Sequence, residues 1–74
     1  MTQAEWAVML AQLAEMERRS QPYRLTIQCG SADTYSQHAL LWATRLRVGL
    51  IDERTRRHVA VRVEDITYLH VSRE

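Results

Sequence analysis

At Pro22 the hydrophobic repeat of the chain changes, from the roughly 3.6-residue period of a helix to the period of about 2 that marks a strand. A chain of 74 residues with one such switch has room for one helix and one small sheet in a single domain. Upstream of the switch, Trp6, Met9, Leu10, Leu13 and Met16 recur at helical spacing and form one apolar stripe. Thr2 followed by Glu5 has the spacing of a capping box, in which the threonine oxygen takes a free helix amide and the glutamate reaches back. Arg18 and Arg19 complement the carbonyl end of the helix dipole, and Pro22 forces Gln21 out of helical geometry. The predicted helix is 2–19.

Downstream, Tyr23, Leu25, Ile27 and Cys29 alternate with Arg24, Thr26 and Gln28, which predicts a half-buried strand over 23–29. Gly30-Ser31-Ala32-Asp33 reads as a turn. A second strand is expected over 35–42, although Ala39-Leu40-Leu41-Trp42 loses the alternation and also suits a short helix. Leu46, Val48 and Leu50 mark a third strand, 44–51; Val59, Val61 and Val63 mark a fourth, 56–63; a fifth covers 66–71. The expected fold class is α+β: an N-terminal amphipathic helix packed on a small antiparallel sheet, or partly open barrel, of four or five strands. Trp6 belongs to the helix stripe and reads as core. Trp42, at a strand end, reads as core in preference to an exposed anchor.

If Asp52-Glu53-Arg54-Thr55 closes a hairpin, Val48 faces Val59 and Leu46 faces Val61. On the opposite side that register sets Arg45 against Arg62 and Arg47 against Ala60. Like charges across a sheet repel unless solvent, a nearby Glu64 or Asp65, or a bound anion screens them. The net charge is only +1, but its distribution is uneven. Residues 1–17 carry Glu5, Glu15 and Glu17 and no base, whereas nine of the ten basic residues fall in 18–62. Every one is arginine, whose planar fork suits carboxylates and phosphates; codon usage in a GC-rich genome produces the same bias.

The segments Leu46-Arg47-Val48-Gly49-Leu50-Ile51-Asp52 and Arg57-His58-Val59-Ala60-Val61-Arg62-Val63-Glu64-Asp65-Ile66 resemble the closing blocks of small Sm-like or SH3-like barrels in bacterial regulators. The likeness, over residues 46–71, is to WYL domains and to the Rho-binding antiterminator family. The Trp-Tyr-Leu tripeptide of the former is missing. The resemblance implies a barrel-like sheet, and places Arg57 and Arg62 where those families carry basic residues on a ligand-facing surface.

Little in the sequence supports catalysis. His38, His58 and His70 are too scattered for metal-ligand spacing, and Cys29, the only cysteine, alternates with core residues. Gly30 and Gly49 are the only glycines, so no phosphate loop is present. An enclosed pocket would consume much of a core that has no phenylalanine. The chain is therefore expected to be no enzyme and to need no cofactor. A lone cysteine, and no run near the roughly 18 apolar residues of a membrane span, point to the cytoplasm and away from a membrane. The expected role is a regulatory or inhibitory module that binds another protein, as a component of nucleic-acid machinery or as an inhibitor encoded by a phage or mobile element. The alternative is direct nucleic-acid binding through Arg45, Arg47, Arg54, Arg56, Arg57 and Arg62, with Tyr35 or Trp42 as stacking platforms. Either is compatible with a homodimer, since the helix stripe and the sheet edges offer self-association surfaces.

Overall fold

The capping box at Thr2 forms as the spacing requires. The Thr2 hydroxyl accepts from the Glu5 amide at 3.1 Å, and the Glu5 carboxylate accepts from the Thr2 amide at 3.0 Å. It opens helix α1 (Gln3–Arg18) in the computed structural model, which describes residues 1–30 and 33–74. The helix ends without a glycine. Ser20 takes the left-handed conformation (φ 55°), its amide donates to the Glu17 carbonyl, and the Gln21 amide donates to Met16 at 2.8 Å, closing a Schellman turn just before Pro22.

Five strands follow: β1 (Tyr23–Cys29), β2 (Asp33–Ala43), β3 (Arg47–Asp52), β4 (Arg57–Arg62) and, after a 3-10 turn at Val63–Asp65, β5 (Ile66–Arg73). They form one antiparallel sheet in the order β4-β3-β2-β1-β5, with β4 and β5 as its two edges, so the sheet is not closed. β2 belongs to both halves. Its ladders to β1 and β3 each carry an irregularity, between Leu25 and Ile27 and between Leu40 and Trp42, and such bulges bend a strand. The short-helix alternative near 39–42 does not occur. The turn read at Gly30–Asp33 includes Ser31 and Ala32, which lie outside the described residues.

The helix stripe caps the concave side. Trp6 and Leu13 are fully buried against Leu25, Ile27, Val48, Leu50, Val61, Val63 and Ile66, with Met9, Leu10 and Met16 packed at the margin. A buried indole needs a partner for its N–H, and Trp6 donates to the Thr44 carbonyl at 2.6 Å. Tyr23 closes the other end, its hydroxyl donating to Glu17 at 2.7 Å. Both links tie helix to sheet by groups whose burial would otherwise be costly.

The β3–β4 hairpin differs from expectation by two residues. Val48 faces Val61 and Leu50 faces Val59, so Arg47, not Arg45, lies opposite Arg62, and Gly49 takes the place opposite Ala60. Two turns cause the shift. Asp52 remains in the strand opposite Arg57, and the loop closes over 53–56, with the Asp52 carboxylate accepting from Arg54 and its carbonyl from Arg56 in the left-handed region (φ 63°). At the other end the Thr44 hydroxyl accepts from the amides of Leu46 and Arg47, which draws Arg45 and Leu46 out of the strand into a turn. Leu46, expected inside, is 60% exposed there. An even shift keeps each side chain that stays in the strands on its own face, which is why Val48, Leu50, Val59 and Val61 still pack in or against the core. Trp42 is also corrected: it is not core but 44% exposed, on the convex face.

Candidate binding surface

Gly49 explains the position of Trp42. Strand alternation places Gly49 on the convex face between Val48 and Leu50, both fully buried on the other side. Trp42 pairs with Gly49 across the ladder and its ring lies over the glycine: a Cβ there would sit 2.3 Å from both Cε2 and Nε1 of the indole. On the far side of Gly49 is Ala60, with only a methyl group. The result is a flat indole platform supported by backbone and open on its outer side.

Basic groups border it. Arg47 faces Arg62 directly. Because the Val63 amide bonds the Leu46 carbonyl one step along, alternation makes Arg47–Arg62 a non-hydrogen-bonded pair, the kind with the closer side chains. Arg62 makes an exposed ion pair with Glu64, while Arg47 has no ion-pair partner among the described residues. Arg45 and Leu46 project from the adjacent turn, and Leu41, 46% exposed, precedes the tryptophan. A shallow depression of about 500 Å³ between Leu46, Arg47, Arg62, Glu64 and Thr2 continues the surface toward the start of the helix.

The other expected site residues lie elsewhere. Arg54, Arg56 and Arg57 are at the far end of the hairpin, and the five steps of β4 separate Arg57 from Arg62 by about 17 Å. Arg54 pairs with Asp52 at 3.8 Å. Tyr35 sits near the start of β2, packed against the core and edge-on to the His38 ring at 5.7 Å, so it is not part of the platform. Burial first, then Asp33 and Cys29, push its hydroxyl pKa up. The structure thus brings together Trp42, Arg45, Arg47 and Arg62 and leaves Arg54, Arg56, Arg57 and Tyr35 apart.

Leu41, Leu46 and Glu64 were missed as contributors. An isolated glycine inside a strand pattern often marks close approach of another group, and Gly49 was the signal that would have turned Trp42 outward. Arg24 was missed as well: it bridges Glu53 of the hairpin loop at 3.1 Å and Glu74 at 3.5 Å, fixing the loop to β1.

Chemistry at other points is sparse. Among the described residues no three His, Cys, Asp or Glu side chains cluster as metal ligands. Burial, then Asp65 and Asp33, push the Cys29 thiol pKa upward, the opposite of what a nucleophilic cysteine needs. No helix among the described residues is long and apolar enough to cross a membrane. The chain matches no protein-family model, no curated protein and no solved structure.

Proposed function

We propose that this chain is a non-enzymatic regulatory or inhibitory module, working in the cytoplasm, that binds another protein through the Trp42 platform. The observation that carries the reading is the exposed indole laid on Gly49 beside the facing Arg47 and Arg62. Tryptophan and arginine dominate the energetic centres of protein interfaces, and a flat, backbone-supported ring loses little entropy on contact. Leu41 and Leu46 extend the apolar area. The matching partner segment offers an apolar or aromatic side chain to the indole and a carboxylate to the unpaired Arg47 fork.

Direct nucleic-acid binding is the weaker reading. Arg18, Arg19, Arg24, Arg54 and Arg62 are already paired with carboxylates. The net charge is +1, low for a surface that must neutralise a run of phosphates.

Immobilised protein is exposed to nuclease-treated extract of its host, beside Trp42→Ala and Arg47→Ala variants. The expected result is a defined protein partner, retained after nuclease, whose affinity falls tenfold or more with either substitution. Retention that vanishes with nuclease, with affinity falling steeply with salt, would transfer the site to nucleic acid. A partner indifferent to both substitutions removes the platform from the function.

A further inference from the structure

We infer that the free edge of β5 pairs with β5 of a second copy, antiparallel, across a twofold axis at His70. The inference is independent of the Trp42 platform, which lies on β2 and β3. It starts from an asymmetry between the two edges. β4 carries Arg57, His58 and Arg62 within its six residues, the kind of charged edge that discourages strand addition. β5 reads Ile66-Thr67-Tyr68-Leu69-His70-Val71-Ser72 with no acidic side chain, lysine, arginine or proline before Arg73. Its eight residues are long for an unguarded edge.

The ladder shows which backbone groups are open. The Glu74 amide bonds the Pro22 carbonyl, and in the same register Arg24, Thr26 and Gln28 pair with Ser72, His70 and Tyr68. Alternation in an antiparallel ladder then directs the N–H and C=O of Leu69, Val71 and Arg73 away from β1, to the free edge. Beside them, between α1 and β5, runs an open groove of about 770 Å³ lined by Val8, Ala11, Leu13, Met16 and Val71. Val8 is 61% exposed there. At its rim Glu15 is already paired with Arg18 and Arg19, and Arg73 stands at the end of the strand.

Only a register in which odd residues meet odd residues satisfies the open groups and keeps the apolar side chains on one face. An axis at His70 sets Val71 against Leu69 of the other copy, apolar on apolar, and Arg73 against Thr67. Axes at Leu69 or Val71 put Val71 against Thr67 or Arg73 against Leu69. With the axis at His70 the two sheets join into one of ten strands, and the two grooves face each other across the junction. One strand and one helix face per copy place the contact at the lower end of the roughly 1,200–2,000 Å² of a stable interface, so the dimer dissociates on dilution.

His70 meets its own counterpart in a non-hydrogen-bonded pair, where Cα atoms are about 4.5 Å apart, within the range a disulfide spans. In a Cys29→Ser background, His70→Cys is expected to form a disulfide-linked dimer under mild oxidation with glutathione disulfide. Tyr68→Cys, which faces Ser72 of the other copy, is expected to cross-link several-fold less. His70→Lys, which sets two like charges face to face on the exposed side, raises the dissociation constant by sedimentation at least tenfold while the monomer keeps its circular dichroism and melting temperature. A monomer mass at hundreds of micromolar overturns the inference, as does equal cross-linking at 68 and 70. Oligomers larger than two without the residue-70 cross-link put β5 against β4 of the next copy and overturn the twofold.

Discussion

The two faces of β2, β3 and β4 are built from alternate residues of the same strands, yet they differ in almost every physical respect. On the concave side Val48, Leu50 and Val61 meet Trp6 and Leu13 and exclude water almost completely. On the convex side Trp42, Arg47 and Arg62 stand in solvent around a glycine. Both faces hold a tryptophan, and the pair shows what decides the role of that residue. Trp6 has a carbonyl for its N–H and a shell of aliphatic neighbours, so it contributes stability. Trp42 has backbone beneath it and is 44% exposed, so it is free to contribute affinity.

Substitutions of the core side chains on the concave face cost stability, and those of the exposed arginines on the convex face do not. Leu50→Ala or Leu13→Ala is expected to destabilise by about 2–5 kcal/mol, the range for a buried leucine that leaves a cavity. In a domain of this size each kcal/mol lowers the melting temperature by roughly 4–8 °C, so thermal unfolding would register either variant plainly. A Leu50→Ala protein that melted with the parent would break the comparison at its strongest point.

Gly49→Ala tests the boundary between the faces. The new methyl would overlap the Trp42 ring, which must lift away, at a cost of about 1–3 kcal/mol if the surroundings resist. Because the ring is already half in water, the expected change is nearer the lower end, with a red shift in tryptophan fluorescence. A Gly49→Ala, Trp42→Ala double variant should recover much of the loss, since the obstacle is gone.

Titration sharpens the contrast, because the groups holding helix to sheet and helix to cap respond to pH in opposite senses. Burial, then the hydrogen bond to Glu17 and its charge, raise the Tyr23 pKa well above 10. A raised folded value means the stability it supplies is complete below the unfolded pKa near 10 and is lost as pH climbs toward the folded value. Chemical denaturation between pH 9 and 11 should therefore show the parent weakening while Tyr23→Phe stays comparatively flat. Glu5 behaves inversely: the Thr2 backbone and hydroxyl hydrogen bonds lower its pKa, so its support is present above the unfolded value near 4.5 and fades as pH falls through the folded one. The penalty for Glu5→Gln should shrink between pH 6 and pH 3.

The smallest effects belong to the platform's charges. Arg47→Ala is expected to change stability by no more than about 0.5 kcal/mol, the usual range for a surface position, and removing like-charge repulsion with Arg62 would make the change slightly favourable. Arg62→Ala loses an exposed ion pair with Glu64, which is worth little. A large destabilisation from either would mean the arginines serve the fold and not a partner.

Much of this architecture is legible from residue order alone. Thr2 and Glu5 mark the helix start, Pro22 ends it within a residue or so, and the alternation at Tyr23–Cys29 coincides with β1 at both ends. These signals are local: a cap, a ring without an N–H and a two-residue period act over one or two turns of chain, so no distant contact was needed to read them. Apart from Leu46 and Trp42, the buried set was legible for the same reason, since moving a strand by two residues changes its partners and not its faces.

What tertiary structure alone decided was which arginine meets which, and whether Trp42 looks in or out. The hairpin register depended on Thr44 capturing two amides and on Asp52 holding the Arg54 amide, hydrogen bonds that hydrophobic period does not encode. The exposure of Trp42 depended on the bulge before it and on Gly49 lying directly across the ladder, seven residues further along the chain. The separation of Arg45, Arg47 and Arg62 from Arg54, Arg56 and Arg57 came from the length of β3 and β4. Period fixes a face because it is a property of one strand; a site is a property of several strands at once, and only their pairing sets the distances within it.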